Sequence, residues 1–281
     1  MKILAVIVTY YPEEDLLKKN LAAFIENVDT VIVWENTPIK DAHRYRFLQQ
    51  DKIRVLGEGE NKGISHALNR AFQIALQEEF THLLTMDQDS CWIGFSSFLE
   101  TIKDNNLSGN ICAPSIIKKH PESLFYKVPF TITSGCLFPV EMLNAIGGFD
   151  EAYFVEHIDM EVCCRAKNWG FDTIIVNTGT LIQRFGVPKR IGRRGQDKFF
   201  YSYPIQRHYE IMRNKVRIHR TFNFSYYYTI KVFLSELFKT PIQIALYDDN
   251  NKIKKISAIY RGFISGLKVK VRKKYKKCQI C

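Results

Sequence analysis

Apolar positions along this chain follow two periods in alternation. Residues 3–9 form an unbroken run rich in Val and Ile, the pattern of a strand covered on both faces, and Tyr10-Tyr11-Pro12 ends it. Pro12-Glu13-Glu14-Asp15 then suits a helix start, with an early Pro and acids in the first turn. Further strands are expected at residues 30–34, 53–56 and 81–86, each ending in polar residues. Between the second and third of these, Ile64, Leu68, Ala71, Ile74 and Ala75 recur at helical spacing behind Asn61-Lys62-Gly63. Beyond residue 100, strands are expected at 111–113, 131–138 and 173–176, and a helix from 158 to 168 closed by Gly170. Strands alternating with helices, and polar residues gathered at strand ends, predict an α/β domain with a mainly parallel, doubly wound sheet.

Charge divides the chain more sharply than hydropathy. The formal net charge is +11, yet residues 1–183 hold 16 basic and 24 acidic side chains, and residues 184–281 hold 24 and 5. The balance changes near Arg184. A basic last third calls for an anionic partner, membrane or phosphate. Nucleic acid is set aside because no recognised binding motif accompanies the charge. Seven cysteines, two of them adjacent, give no zinc-ligand spacing and suit buried reduced thiols in a reducing cytosol. The terminal Cys278-x-x-Cys281 has neither a second pair nor a nearby His. No signal peptide is expected at the start. The most apolar late stretch, residues 222–247, is broken by Lys231, Glu236, Lys239 and Pro241, so no bilayer span is expected either.

Candidate chemistry concentrates in two acidic pairs. Asp87-Gln88-Asp89-Ser90 follows the run Leu83-Leu84-Thr85-Met86, so its carboxylates face the crevice beyond the sheet, where open α/β sheets bind ligands. Hard oxygen ligands suit Mg²⁺ or Mn²⁺ shared with substrate phosphates; a solvated Asx turn would use the same residues. In Glu156-His157-Ile158-Asp159-Met160-Glu161, the acids Asp159 and Glu161 lie two apart on a helix and point different ways. One can face a cleft while the other meets backbone or Arg165, or both can serve the helix dipole.

The order of Thr9-Tyr10-Tyr11-Pro12, Glu35-Asn36, Asn61-Lys62-Gly63 with Asn69, Asp87-Gln88-Asp89-Ser90, Ser134-Gly135, Gly147-Gly148-Phe149-Asp150-Glu151 and Asp159-x-Glu161-x-x-x-Arg165 resembles the family 2 glycosyltransferases of GT-A fold. Residues 84–90 and 207–214 are similar to its rhamnosyltransferase branch. The resemblance covers roughly residues 3 to 270. It implies that Thr9, Tyr10, Glu35, Asn61, Gly63 and Asp87 bind the nucleotide, with Glu35 standing where Asp is usual. It implies that Asp89, with Asp87, holds a divalent metal on the diphosphate, and that Asp159 is the base supported by Glu161. Gln183 stands where the branch often has a His as a further metal or phosphate contact; its amide oxygen can ligate a hard cation without charge, which predicts weaker metal binding. The basic run 184–194 is placed to neutralise phosphates of donor or acceptor, and a solvated loop would account for it equally well.

The resulting expectation is a GT-A catalytic domain over residues 1–220 and a basic helical region over 221–281. Tyr226, Ile230, Phe233 and Leu237, then Ile253, Ile256, Tyr260, Phe263 and Leu267, recur at helical spacing beside the basic cluster 270–277. That suits either an anionic membrane surface or two helices packed on the catalytic domain. The implied activity is inverting transfer of a sugar, L-rhamnose from dTDP-rhamnose, to a surface-polysaccharide or lipid-linked glycan hydroxyl, with Mg²⁺ or Mn²⁺. The implied location is the cytoplasm, peripheral to the inner face of the membrane. The alternatives are another family 2 hexosyl- or galactofuranosyltransferase, and a catalytically silent nucleotide-sugar-binding or membrane-surface protein.

Overall fold

The computed structural model describes residues 1–38, 48, 51–116, 123–183, 187–191 and 199–271, of which 187–190 by backbone alone. The run 184–194 and the cluster 270–277 therefore lie largely outside the described residues. The chain divides into two compact units, Met1–Arg184 and Phe185–Cys281.

The first unit runs β1 (Ile3–Thr9), α1 (Glu14–Ala22), β2 (Thr30–Glu35), β3 (Ile53–Gly57), α2 (Ile64–Gln77), β4 (His82–Asp87), β5 (Cys91–Ile93), α3 (Phe95–Asp104), β6 (Ile111–Ser115), β7 (Phe125–Val128), β8 (Cys136–Pro139), α4 (Val140–Ile146), α5 (Ile158–Asn168) and β9 (Thr173–Ile182). The strands form one sheet in the order β3-β2-β1-β4-β8-β6-β9-β5, with β7 pairing β9. Strands β1, β2, β3, β4, β6 and β9 run one way; β5, β7 and β8 run against them.

The continuous apolar runs have a direct cause: both faces of the sheet are covered. Leu4 and Val6 of β1 pack with Ile32, Trp34 and the α2 and α5 side chains Leu68, Phe72 and Val162. Ile3, Ala5 and Ile7 face the opposite layer with Leu17 and Leu21 of α1 and Phe98 and Ile102 of α3. This is the expected doubly wound α/β architecture, with a mostly parallel sheet.

Residues 131–138 depart from the expected strand. Only Cys136–Pro139 pairs as β8. The preceding Thr131-Ile132-Thr133-Ser134-Gly135 turns instead, because Thr85 Oγ1 donates to Thr133 O at 2.5 Å and Gly135 N–H donates to Thr85 O at 2.7 Å. A β-branched composition favours extension, but these tertiary bonds win. The short edge strands β5 and β7 carry no clear alternation of their own.

The second unit contains the hairpin of β10 (Val187–Arg190) and β11 (Phe199–Ser202), then α6 (Ile205–Thr221), α7 (Tyr226–Leu234), a π-helical stretch (Ser235–Lys239), α8 (Thr240–Tyr247) and α9 (Lys252–Lys268). Its core is Phe200, Met212, Val216, Ile244 and Ile259, with Phe233, Leu237, Ile256 and Phe263 packed on it. Helices α6 and α9 touch backbone to backbone: a Cβ at Gly262 would lie 2.4 Å from Tyr209 O. Lys255 and Asp248 form a buried ion pair at 2.8 Å, and Ser202 Oγ donates to the same carboxylate oxygen at 2.8 Å.

Candidate active site

Strand register sets the first row of the site. Thr9 lies opposite Glu35, Glu35 opposite Gly57, and Val8 opposite Asp87, so the strand ends reach one edge of the sheet together. Because β8 runs antiparallel to β4, Ser134 and Gly135 enter from that same edge. Thr9 is buried and donates to Trp34 O at 3.1 Å. Tyr10 projects its ring into solvent, and Gln88 fixes its backbone twice: Gln88 Oε1 accepts from Tyr10 N–H at 2.7 Å and Gln88 Nε2 donates to Tyr10 O at 3.2 Å. Glu35 is buried at the end of β2.

The turn into α2 adds a second wall. Asn61 Oδ1 accepts from Gly63 N–H at 3.0 Å. Gly63 has φ +92°, and a Cβ there would lie 2.6 Å from the Phe154 ring and 2.7 Å from Phe154 O. No other residue fits that position without strain. Ile64 N–H donates to Phe154 O at 2.8 Å and Ser65 Oγ to Tyr153 O at 2.5 Å, while Asn69 bonds both Phe149 N–H and Phe149 O. The loop ahead of α5 is thereby fastened to α2, and this places Asp159.

Around Asp87 the side chains close a ring. Asp87 N–H donates to Ser134 Oγ at 3.1 Å, and the Ser134 and Ser90 hydroxyls lie 2.8 Å apart. The Ser90 hydroxyl donates to the Gln183 amide oxygen, and Gln183 Nε2 donates to Asp87 Oδ2 at 2.9 Å. Ser90 has one proton and spends it on Gln183, so Ser134 must donate to Ser90. The donors then run one way round the circuit and orient the Asp87 carboxylate. Gln183 meets that carboxylate through nitrogen, with its oxygen turned to Ser90. Asp89 lies half-buried in the turn after β4.

Asp159 and Glu161 diverge. Asp159 is half-buried, and its Oδ1 accepts from Met160 N–H at 2.7 Å. Burial pushes its carboxyl up to about 6, the Met160 bond opposes the rise, and the carboxylates of Glu156 and Asp87 add to it. Glu161 is buried, and both of its oxygens take Arg165, from Nε at 2.7 Å and Nη2 at 2.8 Å. Arg165 also donates to Ile146 O at 2.6 Å, tying α5 to α4. Glu161→Ala would strand the Arg165 charge, so a loss of about 3–5 kcal/mol is expected in denaturant unfolding. The upward shift of the Asp159 carboxyl should stay in place, since its causes are burial and the carboxylates of Glu156 and Asp87.

Asn20 has no counterpart among the residues singled out from sequence. It is buried on α1 between Leu17 and Leu21, and its Nδ2 donates to Asp87 O at 2.7 Å. Its signal was an amide at an apolar position of the helix. Ser90, Ser134 and Gln88 sat inside quoted motifs, but their supporting contacts are tertiary.

The donor set suits a hard cation. Among the described residues no three or more His, Cys, Asp or Glu side chains converge as a metal cage. Asp87 and Asp89 offer carboxylates one residue apart, and Mg²⁺ commonly takes one or two carboxylates and fills its remaining positions with water and substrate phosphate.

The profile of glycosyl transferase family 2 matches residues 5–151, and the chain belongs to that family. A dTDP-rhamnosyl transferase, RfbF of Shigella flexneri, is 25% identical over 95% of both chains. Among solved structures, GalNAc-T7 with UDP, GalNAc and Mn²⁺ superposes with a TM-score of 0.59 at 12% identity, covering 95% of this chain and 56% of that one. Residues 1–349 of S. aureus TarS superpose with a TM-score of 0.53 at 15% identity, covering 95% and 81%. These structures share the GT-A fold.

Proposed function

We propose that this protein is an inverting transferase that moves L-rhamnose from dTDP-rhamnose to a hydroxyl of a surface polysaccharide or lipid-linked glycan. The full-length similarity to a dTDP-rhamnosyl transferase supports the donor. The observation that carries the mechanism is Asp159, a carboxylate raised to about 6 by burial near the acidic row. A base tuned close to working pH is effective in proton transfer.

In this reading Thr9, Tyr10, Glu35, Asn61, Gly63 and Asp87 hold the nucleotide. Asp89 and Asp87 would hold Mg²⁺ or Mn²⁺, with Gln183 keeping the Asp87 carboxylate in position. A cation bound there would supply positive charge to stabilise the departing diphosphate. Asp159 takes the proton from the acceptor hydroxyl as its oxygen attacks the anomeric carbon. The bond to diphosphate breaks on the opposite side, which inverts configuration. Glu161 acts on this step indirectly, by fixing α5 through Arg165.

The basic second unit supports a site of action at the inner face of an anionic membrane, and among the described residues no helix is long and apolar enough to cross one. The test of the donor is nucleotide release from a panel of nucleotide sugars with Mg²⁺ or Mn²⁺. Preferential release from dTDP-rhamnose is expected. Preference for a hexosyl or galactofuranosyl donor would replace the sugar assignment, and binding without release from any donor would remove the catalytic one.

A further inference from the structure

The continuous helix formed by α7, the π-helical stretch and α8 carries two apolar faces. Phe233, Leu237 and Ile244 turn inward to the core of the second unit, with Phe233 against Phe263 at 5.9 Å. Tyr226, Ile230, Leu234, Phe238, Ile242 and Leu246 turn outward, each 39–82% exposed. On an ideal α-helix residues four apart drift by about 40° per step. The wider π turn at Ser235–Lys239 takes up an extra residue in mid-helix and turns that drift back. Six large apolar side chains thus stay on one side over about 30 Å. An exposed stripe of that size marks an interaction surface.

Charge identifies what covers it. Lys231 and Lys239 stand exposed beside Ile230 and Phe238. The helix's one acid, Glu236, is tied to Lys215 at 2.5 Å, and its other oxygen accepts from Thr240. Residues 184–281 as a whole carry 24 basic and 5 acidic groups, so a second copy of this surface would repel the first. Sugar-phosphate chains offer nothing to bury Leu, Ile and Phe. An amphipathic helix with an apolar stripe between lysines is the form that lies flat at the boundary of head groups and acyl chains of an anionic bilayer.

We infer that the stripe Tyr226–Ile230–Leu234–Phe238–Ile242–Leu246 is an in-plane anchor seated in anionic phospholipid. This rests on the membrane-surface reading above and gives it a defined apolar face on the helix from Tyr226 to Tyr247; in α9, Ile256 and Phe263 pack on the core while Ile253, Tyr260 and Leu267 stay exposed. The anchor would be separate from the basic tail. Apolar insertion resists salt, whereas attraction of the tail is screened by it.

The experiment uses the full chain, the double variant L234S/F238S, and a chain ending before Lys268, with vesicles of phosphatidylethanolamine and phosphatidylglycerol at low and high salt. Donor-nucleotide release and circular dichroism check that each variant is folded. At high salt, bound wild type should exceed bound double variant by about tenfold or more, and the truncated chain should bind like wild type. Equal high-salt binding by the double variant and wild type would overturn the anchor and leave the tail as the membrane contact. Failure of wild type to bind at either salt would overturn both readings. Concentration-dependent self-association lost in L234S/F238S would give the face to a second copy and also overturn it.

Discussion

Asp159→Asn is expected to lower turnover by about 10²–10⁴-fold while donor affinity survives, because the amide keeps shape and most hydrogen bonding but cannot accept the acceptor's proton. In the wild type, kcat/KM should fall as pH drops through about 6, where burial and the neighbouring Glu156 and Asp87 carboxylates place the Asp159 titration in the free protein. The variant should lose that limb. Stability should move the other way. A carboxyl whose folded value lies above its ordinary 3.8 is costly to keep ionised. Its charge destabilises the fold fully above about 6, and the cost fades as pH falls toward the ordinary value. Metal-free Asp159→Asn should therefore be more stable at neutral pH, by on the order of 1–3 kcal/mol, with the gain vanishing in acid. Turnover within a few-fold of wild type would remove Asp159 as the base. A loss of stability at neutral pH would contradict the physical account of its tuning.

Asp89→Ala should abolish the metal-dependent part of donor binding. Calorimetry with dTDP, with and without Mn²⁺, reads this without turnover. Wild type should gain affinity when the cation is added, and the variant should bind the nucleotide equally with and without it. The fold should be intact, because Asp89 lies in the turn after β4 and outside both apolar clusters that clamp the sheet. An undiminished Mn²⁺ effect would place the cation elsewhere. Asp87→Ala is a less selective probe, since it also removes the carboxylate that accepts from Gln183 Nε2 and so opens the ring.

Strand positions in the catalytic unit were legible because both sheet faces are buried. A buried strand must be apolar throughout, so β1, β2 and β4 stand out, and their first polar residue marks the edge where a ligand binds. Asp87 was found as the acid that ends such a run; Glu35 marked the end of β2, and its nucleotide role was what the family resemblance implied. Helix α5 was legible from its spacing and from Gly170, which takes φ +92° after its last turn.

Periodicity assigns a residue to a face, but a polar group's partner comes from a distant part of the chain. Glu161 pairs with Arg165 four residues on, which spacing allows. That the pair is buried, with Arg165 also holding Ile146 O, depends on α4 packing against α5. Asn20 reaches Asp87 O across 67 positions, and Gln183 reaches Asp87 Oδ2 across 96. No local pattern encodes those bonds. The outer helix shows the same division. Tyr226 and Ile230 were grouped with Phe233 and Leu237 as one apolar stripe, yet the first pair faces out and the second faces the core. Sequence by itself marked β1, β2, β4, α2 and α5 and the acids at the ends of β2 and β4, because burial along a local element leaves an apolar pattern. Tertiary structure alone decided which amide orients Asp87, which of Asp159 and Glu161 is buried with Arg165, and which apolar side of the helix stays exposed. Those outcomes depend on contacts between residues far apart in the chain.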